Sequence, residues 1–72
     1  MKAKITQKSE LSMNLRQSFV FDILDDDGEV LLSSQTVECS PSTAITEIKQ
    51  KVQAYQEEYE KSQELPEGME IE

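Results

Sequence analysis

Three consecutive carboxylates followed by glycine, Asp25-Asp26-Asp27-Gly28, form the densest set of potential ligands in the chain, and a divalent cation is the chemistry they suggest. An EF-hand calcium loop requires an acid at its first position, glycine at its sixth and a bidentate glutamate at its twelfth. Placing Gly28 sixth puts Ile23 first and Ser34 twelfth, and the flanking residues have strand rather than helix patterns. No metal site is expected, and the run reads as a solvated turn.

Catalytic groups are equally sparse. The chain contains no histidine, which removes the commonest general base, the usual zinc ligand and any serine–histidine arrangement. Two carboxylates can still share acid and base work, but only in a pocket that raises one pKa. A chain of 72 residues leaves little interior for such a pocket, since domains this small bury only roughly 60% of the surface of the unfolded chain. Cys39 is the single cysteine and has no intrachain disulfide partner. Beside a helix start its thiol would feel the helix dipole, yet nothing else supports reactivity, and it reads as a small core or edge residue. The expectation is a non-enzymatic protein with no cofactor.

The elements that must position any binding residues follow from periodicity. Leu11, Met13, Leu15, Phe19, Phe21 and Ile23 occupy odd positions with mostly polar residues between them, the period-two pattern of a half-buried strand. The parity reaches back through Ala3 and Ile5. A strand from Lys2 to Leu24 would far exceed the usual ~3 to 10 residues, so a break is expected at Lys8-Ser9-Glu10 or Asn14. Asp27-Gly28 supplies the backbone freedom of a tight hairpin, with Val30 to Cys39 returning. A type I turn with a glycine bulge over Asp25 to Gly28 predicts Ile23 opposite Val30 and Phe21 opposite Leu32.

Ser40-Pro41 then starts a helix, with the serine oxygen as cap and proline at the first helical position. Ile45, Ile48, Val52, Tyr55 and Tyr59 make one apolar stripe at spacings of three and four, and Glu47/Lys51 and Glu57/Lys61 are i,i+4 pairs of opposite charge. Pro66 and Gly68 end the helix near Leu65. The expected fold is α+β: an antiparallel β-hairpin or three-stranded meander followed by one long C-terminal helix packed on one sheet face, ββα or βββα. Residues 1–65 form the single domain, with 1–10 a basic arm or first strand, 11–39 the hairpin and 41–65 the helix. Residues 66–72 form an acidic tail that frays or orders on a partner.

The net charge of -8 is distributed unevenly. Residues 1–16 carry four cations against one carboxylate, a balance of +3, whereas residues 17–72 carry three lysines against fourteen carboxylates, a balance of -11. Such a surface repels nucleic acid and anionic membranes. The first ten residues hold no apolar signal-peptide core, and no segment approaches the ~20 apolar residues of a membrane span. A soluble cytoplasmic protein is expected.

The hairpin reads as apolar on both faces, with Phe19, Phe21, Ile23, Val30 and Leu32 on one and Val20, Leu24, Leu31 and Val37 on the other. One helix covers one face, so the second is expected to meet another chain unless Ala3, Ile5, Leu11 and Met13 shield it. Two functions follow. In the first, the chain is an interaction module, an inhibitor or adaptor, whose acids Asp25, Asp26, Asp27, Glu57, Glu58, Glu60 and Glu64 dock on a basic protein surface, in the extreme by mimicking nucleic acid. In the second, Val20, Leu24, Leu31 and Val37, or the basic arm against the acidic body, build a homo-oligomeric structural subunit. Size, acidity and strand–strand–helix order resemble those of small phage-encoded and bacterial accessory proteins, a likeness of composition that covers no diagnostic residues, and an accessory assembly component is one form the second function would take.

Overall fold

The computed structural model describes all 72 residues. Three antiparallel strands, β1 (Lys2–Lys8), β2 (Gln17–Leu24) and β3 (Val30–Cys39), form one open sheet in the order β1-β2-β3. A short 3-10 turn, Pro41–Thr43, leads into a single helix, α1 (Ala44–Gln63). Of the two expected architectures the three-stranded one forms, because residues 2–8 add to the hairpin as an outer strand with Ala3 opposite Ile23 and Ile5 opposite Phe21. No helix is long and apolar enough to cross a membrane.

The long odd-position pattern is not one strand. Residues 9–16 connect β1 to β2, and Leu11, Met13 and Leu15 are exposed in that loop, not lined up on the sheet. The loop is closed by Ser12, whose N–H donates to the Arg16 carbonyl at 2.9 Å and whose hydroxyl accepts the Arg16 N–H at 3.0 Å. Leu15 takes a left-handed conformation, φ 62, to complete the reversal. The loop side chains alternate by composition alone, so their parity carries no burial.

The β2–β3 turn has the expected form. The Asp25 carbonyl accepts the Gly28 N–H at 3.1 Å, the Asp25 N–H donates to the Glu29 carbonyl at 2.9 Å, and Gly28 has φ 88. Asp25 Oδ1 also accepts the N–H groups of Asp27 and Glu29, each at 2.9 Å. This Asx-type closure explains why aspartate serves at the first turn position.

The strand register departs from expectation. Closure on Asp25 and Glu29 sets Leu24, not Ile23, opposite Val30. Leu31 is then an extra residue, so Ile23 faces Leu32, and a second irregularity sets Phe21 opposite Gln35 and Phe19 opposite Val37. At the second one Ser34 adopts φ 57 and donates its N–H to Asp22 Oδ1 at 3.0 Å. Two bulges thus re-aim β3, each inserting one residue against β2. The expected cross-strand pairs Ile23/Val30 and Phe21/Leu32 do not form.

The core is small. Phe19, Phe21, Ile23, Val37, Cys39, Ala44 and Ile48 are buried, with Met1, Leu32, Val52 and Tyr55 packed against them. On α1 the seam is Ala44, Ile48, Val52 and Tyr55. Ile45, expected in that stripe, is 69% exposed, because consecutive helical residues point about 100° apart. The Ser40 hydroxyl does not cap the helix and faces Ser42 Oγ at 2.9 Å; instead the Ser40 carbonyl accepts the Thr43 N–H at 3.0 Å. The expected Glu47/Lys51 and Glu57/Lys61 ion pairs are not made, and the side-chain pair that is made, Arg16–Glu38 at 3.9 Å, is exposed. Stability therefore comes from apolar packing.

Only Phe21 and Ile23 are fully buried large side chains, so truncating one removes a major part of the core. Phe21→Ala is expected to cost about 3–5 kcal/mol, the usual range for a buried phenylalanine, and to leave the chain largely unfolded in a urea titration.

Candidate interaction surface

The hydrogen-bonded β2–β3 turn and the C-terminal half of α1 meet because α1 leaves the far end of β3 and runs back along the sheet toward the turn. Tyr59 and Glu60 thereby line one shallow depression together with Asp25, Asp26, Leu31, Met1 and Gln56. Asp25, Asp26 and Glu60 form an acidic rim around the apolar surface of Leu31 and Tyr59. Tyr55 and Tyr59 lie against each other with ring centroids 6.1 Å apart and planes tilted by 35°, within the range of favourable aromatic pairs. The Met1 ammonium lies 3.4 Å from Asp26 Oδ1.

The remaining expected acids do not join this rim as one face. Asp27 is exposed at the turn tip. Glu57 and Glu64 lie on the outward side of α1, opposite the Ile48–Val52–Tyr55 seam, and Glu58 lies about 100° round the helix from Glu57. No group of three or more Asp, Glu or Cys side chains is disposed to hold a metal ion. Asp25 illustrates why, since its Oδ1 is engaged by two backbone N–H groups of its own turn.

The four apolar residues expected on the uncovered sheet face separate. Val20 and Leu24 are there, half-buried. Val37 is not, because it faces Phe19 in the core, and Leu31 lies on the helix side beside Tyr59. The turn register causes both departures, since closure with Leu24 rather than Ile23 opposite Val30 moves Leu31 and Val37 to the other face. The two bulges, each reversing parity once, leave Val37 inward. The uncovered face is consequently mostly polar, with Val20 between Gln7 and Thr36, and Leu24 between Lys2 and Val30. A ribbon that is greasy on both sides does not exist in this fold.

Apolar exposure is concentrated elsewhere. A groove of about 480 Å³ runs between β1 and α1, lined by Met1, Ala3, Ile5, Ile45, Ile48 and Val52 with Lys2 and Lys49 among its polar residues. Ile5 is 49% exposed in it. The sequence reading missed this groove. Its signal was the Lys-Ala-Lys-Ile alternation of residues 2–5, which has the period of a strand with one apolar side.

No protein-family model, curated protein or solved structure matches the chain.

Two outcomes check these placements. Val37→Asn should destabilise by about 1–3 kcal/mol or more because it buries an unpaired amide, whereas Val30→Asn on the exposed position should change stability by less than about 0.5 kcal/mol. Equilibrium urea unfolding compares them. Buried Cys39 should react with an aromatic disulfide reagent only as fast as the chain unfolds, and addition of denaturant should release the reaction.

Proposed function

We propose that the chain is a non-enzymatic protein-interaction module, an inhibitor or adaptor that docks its turn end on a basic surface of another protein. The observation that carries this reading is the convergence of Asp25 and Asp26 with Glu60, residues far apart in sequence, around Leu31 and Tyr59. Protein interfaces commonly place an aromatic anchor within a polar rim. The net charge of -8 adds long-range attraction to a cationic partner, raising the encounter rate and orienting the acidic end toward it. The absence of histidine removes the commonest acid–base catalyst and favours binding over catalysis.

Affinity capture with the full chain as bait, from extract of its native cell, tests the reading. At low salt, proteins with basic surfaces should be retained, and raising the salt should release them. The combined substitution Asp26→Asn, Glu60→Gln and Tyr59→Ala, which leaves the structural Asp25 in place, should weaken retention about tenfold, the equivalent of roughly 1.4 kcal/mol. Retention of the same proteins by the variant, with the same salt tolerance, would overturn the proposal.

A further inference from the structure

The outer edge of β1 and the groove beside it are unoccupied by the rest of the chain. β1 pairs only with β2, so its other edge has free backbone donors and acceptors, and all seven of its residues are exposed. From Lys2 to Ile5 the pairing with β2 is regular, and the one irregularity falls at Thr6. Within this stretch Ala3 and Ile5 line the groove with Ile45, Ile48 and Val52, while Lys2 and Lys4 are paired with Leu24 and Asp22 of the opposite face. Over residues 2–5 the edge therefore alternates lysine with an apolar residue.

One segment of the chain has the complementary pattern. In the tail, Met69 and Ile71 alternate with Glu70 and Glu72. Met69 is 51% exposed and Ile71 is 82% exposed, so the tail does not fill the groove of its own chain. It leaves α1 through a turn in which the Met69 N–H donates to the Pro66 carbonyl at 3.1 Å and Gly68 has φ 87.

We infer that residues 69–72 of a second copy add as a strand to the β1 edge. An antiparallel register with Met69 beside Ile5, Glu70 beside Lys4, Ile71 beside Ala3 and Glu72 beside Lys2 puts both apolar tail residues in the groove and both carboxylates against lysines. Main-chain hydrogen bonds hold the added strand and the alternate side chains select it. Exchange of tails between two copies gives a closed, two-fold pair in which each edge is covered. Lysines on an edge strand also deter unwanted pairing, and here they do so selectively, because an acidic strand is the one they accept. The groove and the acidic turn end adjoin at Met1 and Gln56, but Ile5, Lys4 and the tail lie outside the acidic depression, so variants there test this association apart from docking to a basic partner.

Analytical ultracentrifugation of the full chain tests the inference. The wild-type chain should sediment with a concentration-dependent component of twice the 8.2 kDa chain mass. Ile71→Glu should raise the dimer dissociation constant about tenfold or more. Lys4→Glu alone and Glu70→Lys alone should each weaken the dimer, by about three- to tenfold, since each sets like charges opposite one another. An equimolar mixture of those two variants should recover wild-type association, because every cross-chain pair in the mixed dimer again has opposite signs. All three positions are exposed, and circular dichroism should confirm that the variants fold. A wild-type chain that is monomeric up to about 1 mM, the range of the weakest specific affinities, overturns the inference, as does a dimer indifferent to Ile71→Glu. Failure of the mixture to recover association excludes the cross-chain pairing.

Discussion

The inner face of β2 is the constraint around which the rest of the chain is arranged. Phe19, Phe21 and Ile23 must be kept from water, and a fold with one helix has one layer with which to do it. Every other apolar contribution has to reach that same face. β1 brings Ala3 and Ile5 beside β2 in register with Ile23 and Phe21. β3 could not deliver Leu32 and Val37 together with a regular ladder, because the turn fixes Leu24 opposite Val30 and regular alternation from there puts Leu32 on the wrong side. The first inserted residue turns Leu32 inward, and the second keeps Val37 on that same face. The strained-looking backbone at Ser34 is satisfied by the Asp22 carboxylate, so the bulge costs little in unpaired polar groups.

This arrangement also explains the charge pattern. With most of its apolar residues drawn to one side, the sheet leaves Lys2, Lys4, Asp22, Thr36 and Glu38 on the other, around Val20, Leu24 and Val30. The long helix returns its acidic C-terminal half to the hairpin turn, so negative charge accumulates at one end of a particle 53 Å long. The basic strand lies along one margin. Acidic end, apolar groove and cationic edge are thus neighbouring but distinct features of the surface, the first two meeting at Met1, and chain direction sets where each lies.

Much of the fold was legible in the sequence where the signal is local. Asp25 to Gly28 combine a side-chain acceptor with a glycine able to take positive φ, and the turn forms there. Ile48, Val52 and Tyr55 keep helical spacing and face the sheet. What failed depended on non-local facts. The Leu11, Met13 and Leu15 alternation is indistinguishable from strand until β1 is known to pair with β2, which turns those residues into a connection. Closure of the turn with Leu24 rather than Ile23 opposite Val30 moves Leu31 and Val37 to the other face, and the bulges at Leu31 and Ser34 leave no clear mark in composition. Among the candidate acids, only the direction of α1 brings Glu60 to Asp25 and Asp26, and that direction is a tertiary property.

The thinness of the interior has a thermal consequence. Only two large side chains, Phe21 and Ile23, lose all contact with solvent, so unfolding hydrates less new nonpolar area per residue than it does in a thicker domain. The heat-capacity increment of unfolding scales with that area. For this chain it should fall below the customary value per residue, and the free energy of folding should then vary only gently with temperature, as a broad, low arch with no sharp optimum.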